Sequence, residues 1–207
     1  MPHLDYETKY GCKQGKIICG VDEVGRGPLA GPVMACAVIL PCEGLPKAIA
    51  SEIRDSKKMS ERQREALFGP LTQLCRYALA EVNIREITRL NILYASLLAM
   101  RRAIEGLDTK IDMALIDGNR LPEIKYQALA IVKGDNESLS IAAASIIAKV
   151  TRDRLMKELA KSYPGYGWEH NFGYPTPEHL AALTRLGATD CHRDSFAPVS
   201  QLSLLRE

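Results

Sequence analysis

The 207-residue sequence has no apolar run near the roughly 20 residues that a helix needs to span a bilayer. Its opening, Met1-Pro2-His3-Leu4-Asp5-Tyr6-Glu7, lacks the basic start and apolar stretch of a secretory signal, so a cytoplasmic location with no membrane partner is expected. Paired cysteines are missing too. Cys12, Cys19, Cys36, Cys42, Cys75 and Cys191 are scattered and form no C-x-x-C pair, and Cys19 and Cys36 fall in apolar runs. That pattern argues against a disulfide framework and against a thiolate zinc site. An excess of one charge is absent as well: 27 Lys and Arg against 25 Asp and Glu leave a formal net charge of +2. The chain is therefore no bulk polycation, and it carries no internal repeat or low-complexity tract. What remains is ordinary: 46% hydrophobic and 25% charged residues, enough for one domain with a sizeable core and a small appendage.

The basic residues are nonetheless grouped, as Arg54-Asp55-Ser56-Lys57-Lys58, Arg62 and Arg64, Arg101-Arg102, and Lys149 with Arg152 and Arg154. Such clusters are either solvated faces or contacts to nucleic acid, and charge alone leaves both open.

Periodicity predicts a strand over 16–22 and a second, antiparallel one over 33–40, joined by the turn Gly25-Arg26-Gly27-Pro28-Leu29-Ala30-Gly31-Pro32. Residues 43–59 read as a loop. Ser60-Glu61-Arg62-Gln63 is a capping-box pattern for a helix that Gly69-Pro70 is expected to end. Further strands are expected over 76–82, 113–117 and 126–132. Helices are expected over 91–105, with Leu93, Leu97, Met100 and Ile104 on one face, and over 138–159. Thr176-Pro177 opens a last helix that Gly187 closes. Strands interleaved with helices in this order imply an α/β fold with a mixed sheet.

Three expected strand ends carry acids: Asp22 with Glu23, Asp117, and Asp135. Strand-end acids are commonly turn or cap residues. Brought together, however, they would form a like-charge cluster that needs protonation or a cation. With oxygen donors and no Cys/His set nearby, that cation would be Mg2+ or Mn2+ rather than zinc. The glycine turn also has two readings. It is a tight link between strands, or a place where bare backbone and Arg26 approach a ligand closely enough to sense a ribose 2′-hydroxyl. It is no dinucleotide fingerprint, because Ala30 stands where the third glycine belongs.

Taken as a whole, Gly20-Val21-Asp22-Glu23-Val24-Gly25-Arg26-Gly27-Pro28-Leu29-Ala30-Gly31-Pro32 resembles the opening signature of bacterial ribonuclease HII, the type 2 ribonuclease H family. The likeness continues at Asp55–Ser60, Leu90–Leu93, Leu115–Arg120, Val132–Asp135, Ile141–Asp153, Gly173–Thr176 and Ser195–Val199. It implies a ribonuclease H-like fold, a mixed central sheet flanked by helices with a small C-terminal helical extension. The corresponding division is a leader over 1–16, a catalytic domain over 17–174 and an extension over 175–207. The resemblance further implies hydrolysis of the RNA strand of RNA–DNA hybrids, and cutting on the 5′ side of ribonucleotides embedded in DNA, leaving 3′-hydroxyl and 5′-phosphate ends. The family's catalytic, metal-holding acids fall on Asp22, Glu23, Asp117 and Asp135, around two Mn2+ or Mg2+ ions. Gly25, Arg26 and Gly27 fall on the element that contacts the 2′-hydroxyl, and Tyr174 on the tyrosine that stacks on the next deoxyribose.

Pattern alone reads Tyr174 as a packing residue. Lys57 and Lys149 are candidate phosphate contacts, or stems packed on the core with solvated ammonium groups. One departure is visible: Asn171-Phe172 stands where many relatives have His-Lys. Competing readings are another nuclease of this fold, such as a junction resolvase or exonuclease, and a non-catalytic hybrid-binding module. The tail Gln201–Leu205 resembles the peptide by which bacterial replication proteins dock on the sliding clamp, or it packs on the last helix. A monomer is expected.

Overall fold

The computed structural model describes residues 1–54 and 56–204, with side chains as far as Gln201. Asp55, and Leu205 of the expected clamp peptide Gln201–Leu205, therefore lie outside the described residues. Five strands form one mixed sheet: β1 Ile18–Val24, β2 Val33–Ile39, β3 Arg76–Val82, β4 Met113–Asp117 and β5 Ala128–Ile131, in the order β3-β2-β1-β4-β5. The first three pair antiparallel, while β4 and β5 run parallel to β1. The helices are α1 Asp5–Lys9, α2 Lys47–Ala50, α3 Glu61–Leu74, α4 Ile84–Glu105, α5 Gly134–Glu137, α6 Leu139–Ser162, α7 Trp168–Asn171, α8 Pro177–Leu186 and α9 Ala197–Leu204.

The sheet is buried on both faces. Cys19, Val21, Ala35 and Ile116 pack with the Ala95, Ala99 and Ala103 face of α4. Cys36 and Val38 pack on the opposite side with Ala143, Ala144 and Ile147 of α6 and with Leu67 and Leu71 of α3. Small residues let α6 cross close over β1: a Cβ on Gly20 would stand 2.3 Å from the backbone N of Ile141. Alternation along β1 is thus replaced by burial throughout, as expected of a strand covered on both faces.

Several sequence expectations need correction. The first strand runs to Val24, because Asp22, Glu23 and Val24 pair with Cys36, Ala35 and Met34 of β2. The two acids therefore lie within the strand, not after it. Residues 43–59 include the short helix α2. Pro70 does not end α3: Leu67 and Leu71 are buried one turn apart on either side of it, and their packing holds the helix as far as Leu74. Helix α4 starts at Ile84, capped by Asn83, whose side chain and that of Glu86 form a reciprocal capping box. Asn91 is instead a break, with φ 61° and ψ 166°, and its Oδ1 accepts the N–H groups of Leu93 and Tyr94 to restart the helix. The buried face of α4 is centred on Ala95, Ser96, Ala99, Met100, Ala103 and Ile104, with Leu93 and Leu97 flanking it. Asp135 sits in the first turn of α5. The Ser60 cap of α3, the Ser138 cap of α6, and the Thr176 cap and Gly187 end of α8 stand where the sequence predicts them.

Candidate active site

The parallel register of β1 and β4 determines where the acids meet. Val21 is opposite Ile116, so the next step along both strands sets Asp22 beside Asp117. One carboxylate oxygen from each of Asp22, Glu23 and Asp117 lies within 4.8 Å of the others. Asp22 is buried on β1, where its Oδ1 accepts the N–H of Glu23 at 2.7 Å. The Ser145 hydroxyl, itself bonded to that of Ser56 at 2.7 Å, hydrogen-bonds the Asp22 carboxyl from α6. Glu23 Oε1 accepts from Arg26 Nη1 at 3.2 Å, whereas Oε2 is buried with no hydrogen-bond partner among the described residues. Asp117 Oδ1 accepts the N–H of Gly134 at 2.7 Å. Asp135 is buried, accepts from Asn136 Nδ2 at 2.8 Å, and lines an open pocket with Asp117, Lys57, Lys58, Lys133 and Asn136.

The electrostatics of this cluster are unfavourable for a metal-free protein. Burial raises the Asp22 carboxyl well above the usual range, with Glu23 and Asp117 pushing the same way and Ser145 and Lys57 opposing. Burial also raises Glu23, partly offset by Arg26 and reinforced by Asp117. A buried carboxylate oxygen with no donor and two neighbouring acids costs free energy unless a cation joins them. An all-oxygen donor set suits a hard divalent ion. The acids fit such an ion.

Beside the acids, the glycine turn is held from behind. Gly25 has φ 93°, and a Cβ there would stand 2.3 Å from Arg152 Nε, so glycine is required on both counts. The turn forms no regular ladder for its carbonyls, and two fully buried arginines replace one. Arg152 donates to the carbonyls of Ala30, Pro32 and Phe172, each at 3.0 Å. Arg193 donates to those of Gly25 at 2.6 Å, Gly31 at 2.9 Å and Arg26 at 3.1 Å. Among the described residues neither is paired with a carboxylate. Burial pushes Arg152 down to about 10 and Arg193 to about 9, so both stay charged at neutral pH.

Tyr174 faces this turn: a Cβ on Gly27 would lie 3.6 Å from its ring. Asn171 shapes the approach, donating to the Tyr166 carbonyl at 2.8 Å and accepting the Gly173 N–H at 2.9 Å. Phe172 takes a left-handed conformation and places its ring 4.7 Å from the Lys149 ammonium, which is 5.9 Å from the Tyr174 ring. Lys149 is also bonded to Asp153 at 2.6 Å. Its ammonium is therefore engaged within the protein beside Tyr174, while Lys57 lines the pocket that holds Asp117 and Asp135.

The structure thus brings Asp22, Glu23, Asp117, Asp135 and Lys57 to one place, with Gly25, Arg26, Gly27, Tyr174 and Lys149 alongside. Sequence reading missed the roles of Ser145, Arg152 and Arg193. A serine interrupting the alanine run of α6 was a usable signal. Arg193 left none, because its partners lie more than 160 residues away.

Comparison with known proteins identifies the family. The family described as Ribonuclease HII matches residues 19–199. The Ribonuclease HII of Granulibacter bethesdensis is 54% identical over 194 residues, covering 93% of this chain and 89% of that protein. The crystal structure of the ribonuclease H2 from Pyrococcus horikoshii OT3 superposes with a TM-score of 0.76 at 25% identity, over 92% of this chain and 99% of that one. A Bst-RNase HIII solved in complex with Mn2+ shares the fold, with a TM-score of 0.69 at 17% identity over 93% of this chain and 70% of that one. With Asp22, Glu23 and Asp117 gathered on the adjoining strands β1 and β4 and a family match over nearly its whole length, the chain belongs to the ribonuclease HII family of type 2 ribonuclease H endonucleases.

Proposed function

We propose that the protein cuts the RNA strand of RNA–DNA hybrids and the 5′ side of ribonucleotides embedded in duplex DNA, leaving 3′-hydroxyl and 5′-phosphate ends. The observation that carries this reading is the buried carboxylate cluster, with a Glu23 oxygen that has no hydrogen-bond partner among the described residues. Asp22, Glu23 and Asp117 would hold one divalent ion, and Asp135 with Asp22 a second. When bound, two Mg2+ or Mn2+ ions supply an acidified water for in-line attack and neutralise charge on the leaving oxygen. The Mn2+ bound by the HIII neighbour is in keeping with that choice.

The chain's own side chains orient and discriminate. Ser145 and the Glu23 N–H fix the Asp22 carboxylate, and the Gly134 N–H fixes that of Asp117. Lys57 adds positive charge beside the acids, suited to a scissile phosphate. Gly25, Arg26 and Gly27 read the 2′-hydroxyl, and Tyr174 stacks on the neighbouring deoxyribose. Lys149 supports that tyrosine's surroundings and adds positive potential near the backbone.

The test is cleavage of a duplex with one ribonucleotide beside an all-DNA control, with Mg2+ and Mn2+ compared. Cutting at the ribonucleotide's 5′ side, lost in Asp22→Asn, is expected. Equal cutting of the DNA control would favour a resolvase or exonuclease. Full activity in Asp22→Asn would remove the metal assignment, and binding without turnover would mark a hybrid-binding module.

A further inference from the structure

Arg193 belongs to the C-terminal segment, in the stretch between α8 and α9, yet its guanidinium fork spans the turn that follows β1. Its Nη2 and Nη1 hold the carbonyls of Gly25 and Arg26, two consecutive peptide units. In a trans peptide the C=O and N–H of one unit point in opposite directions, and no cis bond occurs here. Turning those two carbonyls inward therefore turns the N–H groups of Arg26 and Gly27 outward. Both of these residues are exposed, and Gly27 lies against the Tyr174 ring. Two adjacent N–H donors thus point to the surface beside Tyr174.

The same fork is tied to its surroundings. The Arg193 N–H donates to the Leu29 carbonyl at 2.7 Å, and the guanidinium lies 5.0 Å from the Phe196 ring. Asp194 accepts from Thr88 of α4 at 2.7 Å. Arg152 completes the frame by joining Ala30 and Pro32 to Phe172, two residues before Tyr174. Buried arginines with no carboxylate partner are costly, and here their charge is offset by six backbone carbonyls.

We infer that Arg193 is a positioning residue for sugar discrimination: it sets the peptide planes of Gly25 and Arg26 so that the Arg26 and Gly27 N–H groups meet the ribose 2′-oxygen. A hydroxyl oxygen accepts those donors, whereas a deoxyribose leaves both unpaired. The C-terminal segment is then part of the specificity apparatus and not an appendage to it. The inference rests on the reading of residues 25–27 as the sugar-sensing turn.

The test compares affinities for two duplexes that differ by one 2′-hydroxyl, measured by fluorescence anisotropy with Ca2+, for wild type, Arg193→Lys, Thr88→Val and Gly27→Pro. Lysine keeps the charge but cannot hold three carbonyls. Arg193→Lys is expected to lower the ribose preference about tenfold, the scale of one lost hydrogen bond. All-DNA affinity, which depends on phosphate contacts, stays unchanged. Thr88→Val unties Asp194 from an exposed position, so it tests the frame without threatening the core; about a twofold loss of preference is expected. Equal weakening on both duplexes would show a merely structural role and overturn the inference. Preference retained in Arg193→Lys and Thr88→Val but lost in Gly27→Pro, which removes one of the two N–H donors, would overturn it while leaving the sugar-sensing turn in place. Preference retained in Gly27→Pro as well would overturn both.

Discussion

The Gly134 N–H donates to Asp117 Oδ1 at 2.7 Å, so the acid that ends β4 is fixed by the residue just ahead of Asp135. Two metal-holding candidates, one ending β4 and one in the first turn of α5, are thereby set against each other by one short bond. A Cβ at position 134 would stand 3.2 Å from that oxygen and 2.7 Å from Ile141 Cδ1. The isoleucine methyl is the end of a flexible chain and can move; the carboxylate must move too. Gly134→Ala should therefore lower kcat about tenfold or more, in line with the cost of small misplacements at reacting groups. Its melting temperature should fall only a few degrees. Steady-state kinetics beside a thermal melt checks this, and unchanged kcat would show that Asp117 tolerates displacement.

Asp22 is the acid most opposed by its surroundings, through burial and through Glu23 and Asp117. Replacing it with the neutral isostere should remove activity and also stabilise the metal-free protein. Relief of about 1 kcal/mol would raise the melting temperature by roughly 2–4 °C for a chain of this size. Wild type should recover that difference when Mn2+ is added, whereas Asp22→Asn should gain less. Melts in chelator and in Mn2+ test both halves. A lower melting temperature for Asp22→Asn in chelator would mean that the carboxylate stabilises the fold on its own.

Much of this site was legible because its signals are local. An apolar run ending in acids, glycines at the turn, and the Ser60, Ser138 and Thr176 caps each fit within a few residues. What was not legible depends on partners distant in sequence. β1 continues through Glu23 because β2 pairs with it, and α3 passes Pro70 because Leu67 and Leu71 are buried. The start of α4 was readable in Asn83-Ile84-Arg85-Glu86, but the apolar spacing beyond Asn91 is the stronger pattern and led to the later start. Arg193 illustrates the limit best: a guanidinium satisfied by carbonyls across the fold has no periodicity and no motif of its own.

The tail yields a prediction about partners. Val199 is buried in the cluster of Trp168 and Leu183, whereas Gln201 two residues later is exposed. The start of α9 is thus anchored, and the clamp-like peptide begins where the anchored part ends. Deleting residues 201–207 should abolish binding to a bacterial sliding clamp while leaving kcat and the melting temperature unchanged. Surface plasmon resonance on immobilised clamp reads the first effect. Unchanged affinity would assign the tail to packing.

The histidines behind Tyr174 give a pH dependence with a defined sign. Thr189 N–H donates to His192 Nδ1 at 2.9 Å, so the His192 proton sits on Nε2. That proton faces His179 Nε2 at 3.1 Å, which also accepts from Trp168 Nε1 at 3.0 Å. His179 must then carry its proton on Nδ1 and donate it to the Tyr174 carbonyl at 2.9 Å. Each ring is neutral, and a further proton on either would displace a donor already in place. Burial accordingly lowers both, His192 from 6.5 to about 4 with His179 adding to the effect. A group depressed on folding contributes stability above its unfolded value and loses it as pH falls. The protein should therefore lose stability between about pH 6.5 and 4, and His192→Gln should flatten that part of the curve. Because the chain of donors ends on the Tyr174 carbonyl, KM should rise over the same acid range before the fold is lost. Melting temperature and KM against pH, in wild type and His192→Gln, decide the matter: parallel curves for the two proteins would assign the acid sensitivity to groups outside this pair.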